Sequence, residues 1–565
     1  MTEITAPIPE SPRASTATKV GWAILIAATL YVCYFSHLGA IGFVGPDEPR
    51  YAWIARDMAE TGDWVTPRLY GKPWFEKPPL FYWGAAVCFK LFGVSEAAAR
   101  LPSAISALLA TLALAWLALR LYGAETARWL LLLLPTTVGM IGFSHAAATD
   151  MPFGAMLTVA MVCAAIVLGL TRNENTPILP RTPWLALILF GFFLGLAVLA
   201  KGPAAIILSS GAIFFWALFT KRWRDAFRLL HPAAIASFCL TALPWYILCA
   251  RRNPDFFRIF IIEHNFKRYL TPEFQHIQPF WFYVPVLLIA FLPWTALVLW
   301  SSIGCAIHIA RARCVQPSTL LLITWTAFCT LFFSISQSKL PGYILPAIPA
   351  IGLLLAHDLS CRLHSKRASI RLLGLSIAAS LVALGFVVDL LSEKIPFVTD
   401  VRPPRSIIAF ADLMFLGATV VVILSLLRRS RTAIAMVTTA LLSPIFLTFG
   451  PHDLWQLEAG VSARPAAQSA MEHLPTTELA SATTYKLGRG LKFGLNFYLH
   501  RELAEWSPPL GHSSIVFTSQ EHTNELQQMG IHCFHYIAFP AVEICVDSST
   551  IARSADGLHG SGQPH

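Results

Sequence analysis

Two short stretches hold residue types able to do chemistry: Gly45-Pro46-Asp47-Glu48-Pro49-Arg50-Tyr51-Ala52 and Gly71-Lys72-Pro73-Trp74-Phe75-Glu76-Lys77-Pro78-Pro79-Leu80. Asp47 and Glu48 form an acidic pair, and a positioned carboxylate takes up a proton or steadies developing positive charge. Arg50 and Lys77 place cations beside it. The prolines stiffen the backbone and lower the entropy cost of holding these side chains in one constellation. From Tyr51 to Glu60 the spacing is helical, with Trp53, Ile54 and Met58 placed to lie in a membrane interface. Plain interfacial anchors would explain a lone Asp, but they account poorly for this density of charge, proline and aromatic groups.

Other candidates are more scattered. Asp150 follows Ser144-His145-Ala146-Ala147-Ala148-Thr149 and either caps the next helix or joins the site. A later polar segment reads Glu263-His264-Asn265-Phe266-Lys267-Arg268-Tyr269. Lys201, beside Gly202-Pro203, is expected to snorkel toward a membrane surface.

The elements that must carry these residues follow from composition. Of 565 residues, 55% are hydrophobic and 13% charged, with mean hydropathy +0.59. Soluble chains are about 25% charged, so most of this surface faces something other than water. The chain reads as a polytopic membrane protein, and its net charge of +10 points to anionic lipid and topology rather than nucleic acid. A bilayer core of about 30 Å needs about 20 apolar residues per helix. Thirteen spans are expected, at 20–40, 98–119, 127–145, 151–170, 184–200, 203–219, 230–250, 280–304, 318–335, 341–359, 370–390, 407–427 and 432–449. The first is read as an uncleaved anchor.

Positive clusters such as Arg120/Arg128, Lys221/Arg222/Arg224/Arg228 and Arg311/Arg313 fall on the side of Lys19, which the positive-inside rule makes cytoplasmic. Segments 41–97 and 251–279, and everything after 450, then lie outside. Residues 1–450 are expected to be an all-α membrane domain and 451–548 a small external α/β domain. Strands are expected at 514–518 and 541–546, a helix at 520–529, and a disordered tail at 549–565. Cys533 and Cys545 lie in that external part, where an oxidising compartment permits a disulfide.

The acidic loop and the Trp-Phe-Glu-Lys-Pro-Pro-Leu run resemble the first external loop of the bacterial aminoarabinose transferases, in the protein O-mannosyltransferase-like branch of the GT-C membrane glycosyltransferases. Ser338-Lys339-Leu340-Pro341-Gly342-Tyr343-Ile344-Leu345-Pro346 is similar to a further family segment. The resemblance implies a GT-C fold in the bacterial inner membrane. It also implies an enzyme that takes 4-amino-4-deoxy-L-arabinose from undecaprenyl phosphate and gives it to lipid A phosphates; the chain itself is expected to be a monomer among membrane lipids. Arg50, Tyr51, Lys77, Tyr82, Lys267, Arg268 and Tyr343 are then candidate substrate contacts, with the cations facing phosphate. Asp47 matches the acidic residue at the family's reaction centre, and Glu48 and Asp150 stand with it as catalytic candidates. Asp47 is read either as a proton acceptor or as a group that meets the sugar's amine or its developing charge. Glu76 and His264 are candidate ligands for a divalent metal such as zinc, because some members of the superfamily use metal.

A lipid flippase or transporter would place ionisable groups at mid-membrane, whereas here they gather in loops. A scaffold or receptor would leave the acidic loop unexplained. A sister transferase with another polyprenyl-linked sugar or a protein acceptor remains the alternative among enzymes.

Overall fold

The computed structural model describes residues 16–171, 183–267, 269, 277–311, 315–363, 367–392, 405–426, 458, 460–507, 515–534 and 541–547. Long apolar helices dominate it. The first nine are α1 (Thr16–Tyr34), α2 (Asp47–Thr61), α3 (Leu80–Phe92), α4 (Glu96–Tyr122), α5 (Ala124–Leu133), α6 (Val138–Ser144), α7 (Asp150–Val167), α8 (Trp184–Lys201) and α9 (Ala204–Thr220). They are followed by helices Pro232–Arg252, Tyr283–Ala290, Thr295–Arg311, Pro317–Ile335, Ile348–Leu363, Arg367–Ser392 and Arg405–Leu426.

Among the described residues, seven helices are long and apolar enough to cross a membrane, or eight if the bent pair α5 and α6 is one span. The protein is therefore a multi-pass membrane protein. The expected span 127–145 is this bent pair, which turns by 63° just after Pro135. There the hydroxyl of Thr136 donates to the carbonyls of Leu132 and Leu133 and accepts Trp294 Nε1 at 2.9 Å. The expected span 280–304 is also broken, into Tyr283–Ala290 and Thr295–Arg311 around Pro293, whose ring removes a donor and clashes with a continuing helix. The expected span 432–449 and the tail 549–565 lie outside the described residues.

Helix α7 sits at the centre of the bundle and is buried along nearly its whole length. That suits its composition of Ala, Met, Val and Phe with no charge after Asp150. Around it, residues of α4, α8 and the Ile348–Leu363 helix join one continuous apolar core.

The segment between α1 and α4 carries the candidate residues. Pro46 and Pro49 fall at the start of α2, where a missing N–H is tolerated. Asp47 and Glu48 occupy its first turn, favourably placed against the helix dipole. Gly62, with φ 74°, closes the helix by donating to Met58 O. A two-residue hairpin follows, β1 (Arg68–Leu69) against β2 (Lys72–Pro73). Its turn residues Tyr70 and Gly71 both have positive φ, as a tight hairpin requires. Helix α3, which carries Tyr82, was not expected from the sequence.

At the C-terminal end a five-stranded sheet has the order β4-β3-β5-β7-β6. Its strands are β3 (Thr483–Tyr485), β4 (Ala504–Glu505), β5 (Ile515–Thr518), β6 (Ile531–Phe534) and β7 (Glu543–Asp547). β3 pairs in parallel with β4 and β5, and the remaining pairs are antiparallel. β5 and β7 coincide with the two expected strands. The expected helix 520–529 is a 3-10 turn, Gln520–His522, followed by Thr523–Gln528. Cys533 and Cys545 face each other across β6 and β7 and are joined by a disulfide. Helices Arg464–His473 and Arg489–Tyr498 pack on this sheet through Ala466, Ala467, Ala470 and Leu495.

Candidate active site

Arg50 is the hub of the site. Its guanidinium is almost fully buried, and each nitrogen has a partner. Nε donates to Pro46 O at 2.8 Å, Nη1 to Glu76 Oε2 at 3.1 Å, and Nη2 to Asp47 Oδ1. Burial alone would lower its pKa, but Glu76, Tyr51 and Asp47 outweigh that and hold it above the ordinary value. Asp47 remains 48% exposed while Arg50 is 6% exposed, so the arginine anchors a carboxylate that still faces outward. Glu76 lies between two cations, since its Oε1 is 3.6 Å from Lys77 Nζ. Arg50 therefore organises the carboxylates of the site and is not an open cation for an incoming phosphate.

Tyr51 and Tyr82 pack ring to ring behind this cluster, with centroids 5.8 Å apart. Burial, and next the Glu76 carboxylate, push both phenols well above their ordinary range and keep them as donors. Tyr82 Oη is buried and has no hydrogen-bond partner among the described residues.

Glu48, next to Asp47 in sequence, points into the protein. Its carboxylate accepts Arg100 Nε at 3.0 Å and Nη2 at 2.7 Å, Val44 N at 2.8 Å and Ala147 N at 2.6 Å. Arg100 donates further to the carbonyls of Leu38, Ile41 and Gly42. All five of its donors are thus occupied. The pair staples the acidic loop to α4 and to the turn before α7. A cavity of about 420 Å³ opens behind it, lined by Val32, Ser36, His37, Val44, Ile141 and His145 among others.

A second cluster forms at the start of α7. Asp150 pairs with Lys201, whose Nζ also lies 4.4 Å from the centre of the Tyr343 ring and 5.7 Å from that of Phe153. Snorkelling does not describe Lys201: the amine turns inward because a carboxylate and two ring faces meet it there. Nor does Asp150 cap α7. Thr149 holds the N-cap position without a side-chain bond, and the Asp150 carboxylate faces Lys201. Gly342 allows this packing, since a Cβ there would lie 2.9 Å from Asp150 Cγ.

The third group lies on the wide-turned helix Arg258–Lys267. Lys267 is exposed on it, and Glu263 accepts Arg258 Nη1 at 2.7 Å. Phe256 and Phe260 join Phe75 in an apolar cluster, which ties this helix to the segment that carries Glu76. Arg268 lies outside the described residues. Among the described residues no three His, Cys, Asp or Glu side chains gather as metal ligands. Glu76, flanked by Arg50 and Lys77, faces charges that oppose an added cation. The candidate ligand pair Glu76 and His264 gains no third ligand among the described residues.

The sequence did not single out Arg100, although an arginine in the apolar run of α4 needs a partner to be buried.

Residues 22–260 match the family model for dolichyl-phosphate-mannose-protein mannosyltransferase. An undecaprenyl phosphate-alpha-4-amino-4-deoxy-L-arabinose arabinosyl transferase from Serratia proteamaculans is 32% identical over 407 residues, covering 70% of this chain and 71% of the relative. The chain belongs to this transferase family. A member from Erwinia tasmaniensis is 33% identical over 337 residues, covering 60% of this chain, and the match spans 59% of that relative's length. The crystal structure of ArnT from Cupriavidus metallidurans bound to undecaprenyl phosphate superposes with a TM-score of 0.70 at 24% identity. That likeness covers 93% of this chain and 98% of the other, so this family member has the same fold over nearly its full length.

Proposed function

We propose that the protein transfers 4-amino-4-deoxy-L-arabinose from undecaprenyl phosphate to a phosphate of lipid A. The observation that carries this reading is the outward-facing Asp47 carboxylate, fixed by Arg50 on a short helix beside Lys77, in a chain of this family. In the reaction an acceptor phosphate oxygen attacks the anomeric carbon, the bond from that carbon to the donor phosphate breaks, and undecaprenyl phosphate leaves. The acceptor oxygen is already anionic, so no base is needed to create the nucleophile. Asp47 then serves the sugar by meeting its ammonium group or the positive charge that develops at its anomeric carbon. Lys77 and Lys267, with Arg268, serve the phosphates as cations. Glu48 acts as the internal partner of Arg100, Tyr51 and Tyr82 back the Arg50 cluster from within, and Tyr343 lines the approach.

The finer architecture belongs to the same proposal. The fold is GT-C with thirteen spans over residues 1–450, in the bacterial inner membrane, and residues 451–548 form a periplasmic α/β domain. The positive loops on the side of Lys19 support this orientation. So does the Cys533–Cys545 disulfide, which suits an oxidising compartment.

Purified protein given undecaprenyl-phosphate aminoarabinose and lipid A should yield pentosamine-modified lipid A by mass spectrometry. If dephosphorylated lipid A or a Ser/Thr peptide accepts sugar equally well, the lipid A phosphate assignment fails.

A further inference from the structure

We propose that the C-terminal helix Arg489–Tyr498 is a working part of the active site, with Phe493 and Gly490 as positioning residues for Arg50 and Asp47. This rests on the reading of the Asp47 loop as the reaction centre. The hydrogen bonds of a guanidinium lie in its plane, and its two faces stay bare. At Arg50 the in-plane donors go to Pro46, Glu76 and Asp47, while three rings stand around its central carbon. Phe493 lies at 5.4 Å, Trp74 at 5.7 Å and Tyr51 at 5.8 Å from Cζ. Two of these rings come from the loop itself. The third comes from the far end of the chain, more than 400 residues away.

The rest of the helix shows why Phe493 reaches that place. At Gly490 a Cβ would lie 2.9 Å from Gly45 C, 3.1 Å from its Cα and 3.2 Å from its O. These are backbone atoms that cannot swing aside, and Gly45 (φ 67°) begins the acidic loop. Asn496 Nδ2 donates to Tyr70 Oη at 2.9 Å in the hairpin turn. Phe497 packs edge-on against Phe43, with centroids 4.8 Å apart. Tyr498 Oη accepts Phe43 N at 2.8 Å and donates to Glu96 Oε1 at 2.9 Å. Positions 490, 493, 496 and 497 share one helix face, and that face covers the loop on both sides of Asp47. Burial of Arg50 against a ring strengthens its hold on two carboxylates. Phe493 thereby fixes where the Asp47 carboxylate stands.

The test is steady-state transfer by Phe493→Leu, Phe493→Trp and Gly490→Ala, each compared with its thermal midpoint in detergent. Phe493→Leu keeps apolar volume but removes the ring face, so kcat should fall roughly tenfold with the donor KM little changed. Phe493→Trp should restore most of the loss. Gly490→Ala, which forces the helix off Gly45, should lower kcat at least as much. Combined with Arg50→Lys, Phe493→Leu should add little to the loss from Arg50→Lys alone, because both act on one contact. Wild-type kcat in Phe493→Leu, or losses that multiply in the double variant, would overturn the proposal. The same cycle read in thermal midpoints requires no donor. If the wild-type protein transfers no aminoarabinose, the functional reading fails, while sub-additive midpoints still support the Phe493–Arg50 contact and additive ones sink it.

Discussion

Glu48 and Arg100, 52 residues apart in sequence, form a buried ion pair in which the carboxylate takes two guanidinium hydrogen bonds at 3.0 and 2.7 Å and two backbone N–H groups besides. Asp47 is the adjacent residue and makes none of these bonds. One carboxylate of the pair thus holds the loop in place so that the other can face outward. Glu48→Gln leaves the Arg100 charge buried without compensation, which costs about 3–5 kcal/mol. The variant should show a much lower thermal midpoint in detergent, with activity falling in parallel. An unchanged midpoint would show that the pair is not the staple.

Asp47→Asn should behave differently. The side chain is half exposed and bonds chiefly to Arg50, so folding should be nearly unaffected. Transfer should drop by at least about 100-fold, the low end for a positioned electrostatic or acid–base group. The check is kcat of purified protein beside its melting curve, and full activity would remove Asp47 from the reaction.

Lys201→Met removes the amine that pairs with the Asp150 carboxylate and leaves that charge without its partner. About 3 kcal/mol of stability should be lost, the low end for breaking a buried pair. Removing both charges, in Lys201→Met with Asp150→Asn, should recover part of that. If the single variant melts like the wild type, the lysine is solvated and the pairing carries no energy.

A reporter that matures only in the cytoplasm, fused at residue 560, should stay dark, because an odd number of spans from a cytoplasmic N-terminus leaves the C-terminus outside. A bright fusion would mean that the thirteen-span count is off by one.

Hydropathy located most long helices to within a few residues, as at Trp184–Lys201 against an expected 184–200, while the first, expected at 20–40, is Thr16–Tyr34. It missed the breaks. Pro135 and Pro293 each sit inside an apolar run, and a sum over the window cannot see one lost hydrogen bond. In the candidate site, the loop that carries Asp47, Glu76 and Lys77 was legible because its charges and prolines are local. The distant partners were not. Nothing near Arg100 in sequence points to Glu48, and Lys201 looked like a membrane-edge lysine until the fold brought Asp150 and Tyr343 to it. The roles of Glu48 and Arg50 also depended on geometry, since a motif gives the residue types but not which carboxylate turns inward.

The contacts of Gly42 with Glu458 and of Phe43 with Tyr498 join residues 416 and 455 positions apart. During synthesis, therefore, the Asp47 loop leaves the ribosome long before the groups that seat it exist. The membrane helices are made first, and the loop, held from within by Arg100, waits for its outer cover until the helix Arg489–Tyr498 is made. A chain halted at residue 450 would hold its helices in the bilayer and carry every acidic residue of the centre, yet present an unfinished site. The order of synthesis thus puts the outer contacts of Gly42 and Phe43 among the last that this loop can gain.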